Sequence, residues 1–268
     1  MRNATLARAL NIRVYITCLT TLALLILAIA SIKPAYADAS ANWQSTTDTL
    51  AKEVLERSNV VSDFTTLIGR HFKSTAQIDF DNLRVTFNND TVPHVKPKTT
   101  EIIIPYSYLT HALQSHAELE ESNEAALDRA LDTVEYTLYH LVGHLIVASN
   151  DADYDDTAEA ISSWLMIKGF ANGGEQWFSN AEAFGRASQL LDGPLQDYWH
   201  EHSLYKSRQK KINCWILGSA PEKYESLLKP VLKPDERNAR CVNEWQVLDT
   251  KMQTELQAEL KENSTLLK

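Results

Sequence analysis

Two histidines lie four residues apart in the stretch YTLYHLVGHLIVAS, at His140 and His144. Apolar residues recur at helical spacing through this stretch, which predicts a helix. Residues i and i+4 share one face of a helix, so both imidazole rings can point at a common metal ion. Zinc peptidases use this spacing, but they place a glutamate directly after the first histidine, where this chain has Leu141. The spacing alone does not separate a metal site from two histidines in an ordinary core.

Two faces of the predicted helix are uncharged. One is an apolar stripe formed by Leu127, Leu131, Val134, Leu138 and Leu145. The histidines lie about 120° from that stripe, on a face that carries no charged residue. They are therefore expected to face the protein interior. Gly143 is unfavourable inside a helix, and it predicts that another segment packs closely at this point.

Zinc needs a third protein ligand, and peptidases commonly take a carboxylate from a later helix. Asp155 and Glu159 are also four residues apart, at the start of a helix predicted to end at Phe170. One carboxylate would bind the metal while the other orients a histidine through its second ring nitrogen. Acidic residues are also favourable in the first turn of any helix, so the pair has an ordinary structural explanation as well.

The same acidic segment has some features of a calcium-binding loop. Asp151, Asp153 and Asp155 alternate along the chain in the required way. Such a loop needs glycine at its sixth position and glutamate at its twelfth. Asp156 and Ser162 occupy those positions here, which argues against calcium.

The charge of the chain limits its partners. Its formal net charge is −9, so a phosphate backbone would be repelled and nucleic acid is excluded as a partner. No glycine-rich phosphate loop and no nucleophile-elbow serine occurs in the sequence. The remaining partners are a peptide or protein substrate, and a membrane only through the N-terminal segment if that segment is retained.

The first 37 residues have the pattern of a secretory signal peptide. Basic residues precede an apolar run from about Val14 to Ile32, and small residues flank Tyr36 in Ala35-Tyr36-Ala37. Cleavage after Ala37 predicts a single domain of residues 38–268 in the periplasm or outside the cell. The alternative is an uncleaved anchor facing the periplasm, because the run is nearly long enough to span a bilayer.

Cys214 and Cys241 are the cysteines that remain after such cleavage. Two cysteines in an exported protein most simply form one disulfide. Two buried free thiols are the alternative.

The elements that must position these residues are predicted to form a mainly helical α+β fold. Residues 43–72 have the spacing of one helix, and residues 83–87 alternate in the manner of a strand. The β-branched run at 101–104 predicts another strand. Further helices are expected, with a break at Gly173-Gly174, over residues 177–192, 195–212, 221–229 and 235–265.

Together these segments resemble a family of uncharacterised, mostly bacterial secreted proteins described as putative metallopeptidases. Its members carry H-E-x-G-H on one helix and a segment of the type E-D-x-A-D on the next. HLVGH (140–144) matches the first motif except at Leu141. DDTAE (155–159) matches the second with the two carboxylate lengths exchanged, so that Asp155 stands where the family has its ligand glutamate.

The similarity extends over most of residues 99–245. TTEIIIPYSYL (99–109) is similar to the strand that precedes the family's metal helix. The family's C-terminal half, including both cysteines, is similar to EHSLYKSRQKKINCWILGSAPEKY (201–224) and LKPDERNARCVNEW (232–245).

The resemblance implies a zincin-like core with a helical C-terminal part that a Cys214–Cys241 disulfide pins in place. It also implies zinc on His140, His144 and Asp155. The connection between the two motifs is a few residues shorter than the family's. Aspartate is one methylene shorter than glutamate, so it reaches the metal only if the short connection draws the two helices together.

The resemblance indicates descent from a metal site, but Leu141 argues against present catalytic activity. In the peptidase mechanism the missing glutamate takes a proton from the attacking water and passes it to the leaving amine. Leucine can do neither. The sequence therefore predicts an exported family member with a degenerate, catalytically impaired site.

Two other functions stay open from the sequence. An active metallopeptidase would keep zinc on the same three ligands and use a displaced general base, for which Glu159, Glu201 and His202 are the candidates. A metal-free periplasmic binding or scaffold protein would need none of these residues. Metal analysis of protein purified without chelators would distinguish this last function from the other two.

Overall fold

The structure, a computed structural model, describes residues 41–147, 154–190, 206–228 and 237–267. The predicted signal peptide and the candidates Glu201 and His202 lie outside the described residues. Within the described ranges, no helix has the length and apolar character needed to cross a membrane.

A small mixed sheet is built from the N-terminal part of the chain. Its strands are β1 (Ala41–Trp43), β2 (Arg84–Asn88), β3 (His94–Lys96) and β4 (Glu101–Pro105). The order is β1-β2-β4-β3, in which β1, β2 and β4 run parallel and β3 pairs antiparallel with β4. Val85 pairs with Ile102 and Phe87 with Ile104, and all four side chains are buried. The sheet therefore belongs to the core on which the helices pack.

The N-terminal helix predicted for residues 43–72 is in fact two helices preceded by a strand. Helix α1 covers Thr49–Arg57 and helix α2 covers Val60–His71. Asp48 caps α1 by accepting a hydrogen bond from the Ala51 amide at 3.1 Å. Ser58 has extended backbone and ends α1. Apolar spacing continues across this break, which is why periodicity alone did not reveal it.

Seven further α-helices follow β4 in the described residues. They are α3 (Tyr106–Ala117), α4 (Asn123–Val147), α5 (Asp155–Gly169), α6 (Gly173–Leu190), α7 (Lys206–Ser219), α8 (Pro221–Leu228) and α9 (Arg237–Glu255). The break predicted at Gly173-Gly174 is only partly right, because Gly173 is already the first residue of α6. The helix predicted at 195–212 is α7, which continues to Ser219, and residues 195–205 lie outside the described part of the chain. Helix α9 ends ten residues earlier than the predicted 265.

Helix α4 is the centre of the molecule. Every residue from Thr133 to Leu145 is buried, because β3, β4 and the helices α2, α3, α5 and α6 contact it from different sides. A helix that is uncharged on several faces is stable only when it is surrounded in this way. The two histidines are therefore interior residues, as the uncharged faces predicted.

The C-terminal helices are joined by a disulfide. Cys214 on α7 is bonded to Cys241 on α9, with a Cα–Cα distance of 4.8 Å. A Cβ at Gly218 would lie 2.0 Å from the Cys241 carbonyl oxygen, so only glycine allows α7 and α9 to approach this closely. The structure thus confirms a mainly helical α+β fold with a small strand region and a disulfide-pinned helical C-terminal part.

Candidate metal centre

Two adjacent helices bring three donor side chains to one point. His140 and His144 project from α4, and Asp155 is the first residue of α5. The two Nε2 atoms are 3.1 Å apart, and Asp155 Oδ1 lies 2.9 Å from His144 Nε2 and 3.5 Å from His140 Nε2. The three residues are 0–1% exposed. They are called the histidine cluster below.

The close packing of α4 and α5 lets the short aspartate reach the histidines. A Cβ on Gly143 would lie 2.4 Å from the carbonyl oxygen of Ala158 and 2.6 Å from its Cα. The backbones of α4 and α5 are thus in direct contact at Gly143 and Ala158, beside the histidines and Asp155. The missing methylene of Asp155 is made up by this approach, and the role predicted for Gly143 is confirmed.

Glu159 lies on the opposite side of His140 from Asp155. Its Oε2 atom is 3.5 Å from His140 Nδ1, whereas Asp155 faces Nε2. The Tyr136 hydroxyl donates a hydrogen bond to the same Oε2 atom. Glu159 therefore contacts the His140 ring at Nδ1, on the side away from Asp155. This is the position of a carboxylate that orients a metal-binding histidine.

Aromatic rings hold His140 in place. The ring of Tyr136 stacks on that of His140 at a centroid distance of 5.9 Å, and its other neighbours are Trp177 at 4.8 Å and Phe184 at 4.4 Å. Trp177 donates a hydrogen bond of 2.9 Å to Ser163, which in turn donates to Glu159 at 3.4 Å. Helix α6 therefore supports the cluster from the side away from Asp155.

The surroundings of the cluster favour a positive charge. Burial lowers the pKa of His140, but hydrogen bonds to Asp155 and Glu159 and the charges of both carboxylates outweigh burial and raise its pKa to about 9. Imidazole is ordinarily close to neutral at physiological pH. The two carboxylates thus make this buried location one where a cation is stabilised.

Arg208 contacts the cluster from α7. Its Nη1 atom donates to Asp155 Oδ2 at 3.0 Å, and its Nε atom donates to Asp156 Oδ1 at 3.1 Å. Burial lowers the pKa of Arg208, but the charge of Asp155 and the hydrogen bond to it raise that pKa above its usual value. The guanidinium is therefore a permanent charge at the N-terminus of α5.

Leu141 follows His140 on α4, at the position where the sequence resemblance predicts a glutamate. It is 1% exposed and belongs to the hydrophobic core. Its neighbours along α4 on either side, His140 and Val142, are equally buried. A carboxylate at this position would have to be accommodated in the interior.

Sequence reasoning did not single out Arg208 or Tyr136. Tyr136 is four residues before His140 on the same helix face, so the i, i+4 rule that paired the histidines would have found it. Arg208 lies 53 residues after Asp155, and no local spacing connects the two. Only the folded chain brings them together.

The donor group suits a divalent metal. One nitrogen from each histidine and one oxygen of Asp155 lie within 4.8 Å of one another. Two imidazoles and a carboxylate are a donor set that zinc accepts. Glu159 supplies the orienting contact that metal-binding histidines commonly have. The residues present therefore fit such an ion.

The fold and the site define a mainly helical α+β protein in which a small mixed sheet precedes a helix pair with a His-His-Asp donor group. Comparison with known families shows that the chain belongs to the family described as putative metallopeptidase, which matches residues 41–256. Comparisons with curated proteins and with solved structures gave no match.

Proposed function

We propose that this protein is an exported, zinc-binding member of the metallopeptidase family whose hydrolytic activity is impaired. The observation that carries the proposal is a buried leucine, Leu141, next to an intact His-His-Asp donor group. The donor group supports metal binding, and the leucine argues against hydrolysis. A peptide or protein would then be bound rather than cleaved.

Zinc would be held by His140, His144 and Asp155, and when bound it would supply a Lewis acid. The chain's own residues set the geometry of that site. Glu159 faces Nδ1 of His140 and thereby fixes the ring with its Nε2 atom toward Asp155. Tyr136 in turn holds Glu159 through a hydrogen bond.

Hydrolysis would need a group that collects a proton from water and delivers it to the leaving amine. Leu141 cannot do this. Glu159, the described candidate for a displaced base, is behind His140 and engaged by Tyr136. Loss of general acid–base catalysis typically lowers rates by about 10²–10⁴-fold, enough to make cleavage undetectable.

The disulfide supports location outside the cytoplasm. Structural disulfides form and persist in oxidising compartments, and Cys214 and Cys241 are bonded here. Together with the basic start and the Ala35-Tyr36-Ala37 end of the N-terminal segment, this favours export to the periplasm or beyond. The intact mass of protein from a secreting host should correspond to a chain that begins at Asp38. A full-length, membrane-retained product would instead favour an N-terminal anchor.

Zinc binding is tested on protein purified without chelators. Metal analysis should find close to one zinc per chain in the wild type and none in His140→Ala. Absence of metal in the wild type, together with failure to take up added zinc, would favour the metal-free scaffold function.

Hydrolysis is tested with a matched pair of variants. The variant Leu141→Glu restores the base beside an aspartate that already reaches the histidines, whereas Leu141→Gln has the same shape without the base. We expect chelator-sensitive cleavage of a quenched fluorescent peptide pool in the first variant and not in the second. Chelator-sensitive cleavage by the wild type, lost in His144→Ala, would overturn the impaired-site proposal and favour an active peptidase.

A further inference from the structure

The two oxygens of Asp155 have different neighbours. Oδ1 faces the histidines, at 2.9 Å from His144 Nε2 and 3.5 Å from His140 Nε2. Oδ2 accepts a hydrogen bond of 3.0 Å from Arg208 Nη1. One oxygen of the carboxylate therefore faces the histidines, and the other is bound by an arginine.

We propose that Arg208 is a positioning residue that holds Oδ2 of Asp155, so that the carboxylate offers a single oxygen, Oδ1, to the metal. This inference rests on the proposed function, because it assumes that the histidine cluster binds a metal. Arg208 itself would not touch the metal.

The geometry of arginine suits this role. A guanidinium presents its donors in a rigid plane, whereas an ammonium is a point charge without fixed direction. Arg208 uses Nη1 on Asp155 and Nε on Asp156, at 3.0 and 3.1 Å. The second contact fixes the rotation of the guanidinium, and the guanidinium then fixes the rotation of the Asp155 carboxylate.

Burial makes this support necessary. The Asp155 side chain is 0% exposed, so water cannot satisfy Oδ2. The loss of a charged donor to a buried carboxylate oxygen is costly. Without Arg208, we expect Oδ2 to turn toward the metal and bind it together with Oδ1.

Arg208 comes from a helix that is covalently joined to another helix. Arg208 lies on α7, the helix that carries Cys214 and is bonded to α9. The Arg208 side chain is 17% exposed, whereas that of its outer partner Asp156 is 66% exposed. The outer half of the contact can therefore be removed by mutation with little effect on the core.

The experiment uses the mature protein loaded with Co²⁺, which reports coordination number through its visible absorption, and measures zinc affinity by competition with a chromophoric chelator. The wild type should give the strong absorption of four-coordinate Co²⁺. Arg208→Gln should bind zinc roughly 10–100-fold more weakly, the usual effect of removing a partner of a metal ligand. Its Co²⁺ absorption should be weaker and shifted, because the freed carboxylate adds a second oxygen.

Three variants guard against a merely structural effect. Arg208→Lys keeps the charge but not the fork, so it should resemble Arg208→Gln. Asp156→Ala removes only the outer contact and should weaken zinc binding by a few-fold, and it serves as the test if Arg208→Gln does not fold. Arg240→Gln breaks an exposed pair within α9, Arg240 Nε to Glu244 Oε1 at 3.1 Å, and should leave affinity and spectrum unchanged.

Failure of metal binding and failure of the Arg208 role give different results. If the wild type takes up neither Co²⁺ nor Zn²⁺, the proposed function fails and this inference falls with it. If the wild type binds both ions, but Arg208→Gln and Asp156→Ala match its affinity and spectrum, the positioning role alone is overturned.

Discussion

Helix α4 contributes to two buried polar groups, the histidine cluster and, five residues before His140, a group formed by Glu135 with Gln176 and Asn180 of α6. The latter is called the glutamate cluster. Gln176 and Asn180 donate hydrogen bonds of 2.8 and 3.0 Å to Glu135 Oε2. The Glu135 side chain thus accepts hydrogen bonds from neutral amides. In the histidine cluster, by contrast, each of the three side chains can bind a metal cation or a proton.

This difference distinguishes a structural polar group from a site. Buried polar groups normally have a hydrogen-bond partner in the protein, as Glu135 Oε2 does. In the histidine cluster the two Nε2 atoms and Asp155 Oδ1 face one another within 3.5 Å, in an arrangement that suits a metal ion or a proton. The first arrangement is a carboxylate held by neutral hydrogen-bond donors, and the second is a donor group of the kind that holds a metal ion.

The largest expected effect is on stabilisation by zinc. A ligand at 100 times its dissociation constant stabilises the folded state by about 2.7 kcal/mol, which corresponds to a rise of roughly 5–10 °C in Tm for a domain of this size. We expect this rise in the wild type and in Glu135→Gln, and its loss in His144→Ala. Differential scanning calorimetry with and without zinc measures it. A loss in Glu135→Gln as well would show that the two clusters are coupled.

The second expected effect is the pH dependence of stability, which should come from the glutamate cluster. Burial raises the pKa of Glu135 to about 7, although its hydrogen bonds to Asn180 and Gln176 act in the opposite direction. A raised pKa means that the folded state keeps its proton while the unfolded chain loses it. The contribution of protonated Glu135 to the free energy of unfolding is therefore fully present below pH 4.5. It is lost as the pH rises through about 7.

The size of the Glu135 pKa change sets an upper limit on the loss of stability. One pKa unit corresponds to about 1.4 kcal/mol, so the wild type should lose on the order of 2–3 kcal/mol relative to Glu135→Gln over this range. Urea unfolding at several pH values, without zinc, measures the difference. An equal slope in both proteins would contradict the assignment.

The third prediction concerns the contact between α4 and α5. Gly143→Ala would place a Cβ 2.4 Å from the Ala158 carbonyl oxygen, and overpacking of this kind costs about 1–3 kcal/mol. Zinc affinity should fall too, because Asp155 is pushed away from the histidines. Gly69→Ala is the matched control, since a Cβ there meets nothing within 4 Å. That change should stabilise α2 slightly, by up to about 1 kcal/mol.

The smallest expected effect is a difference in stability and zinc affinity between Tyr→Phe changes at two buried tyrosines of α4. Tyr136→Phe removes the donor to Glu159 and should lower stability by about 1 kcal/mol and zinc affinity by a few-fold. The Tyr139 hydroxyl is buried, and the described residues offer it no hydrogen-bond partner. Tyr139→Phe should therefore be neutral or stabilising, with zinc affinity unchanged. Equal effects of the two changes would argue against the orienting role of Glu159.

Local patterns in the sequence determined much of this protein. The i, i+4 spacing placed His140 and His144 on one face, and the uncharged surroundings placed that face in the interior, because both follow from helix geometry alone. The family, the α+β class and the Cys214–Cys241 bond are likewise confirmed. Zinc on His140, His144 and Asp155, the impaired chemistry and export stay predictions, as does any role for Glu159, Glu201 or His202 as a base.

Only the tertiary structure decided how the site is completed. The break at Ser58 and the short strand at Ala41–Trp43 depend on backbone conformation and on pairing with β2, and apolar periodicity does not report either. Asp155 reaches the histidines because a glycine on another helix permits backbone contact with α5. Arg208 reaches Asp155 from a helix that a distant disulfide holds. Spacing encodes contacts within one element, whereas contacts between elements arise only when the whole core packs.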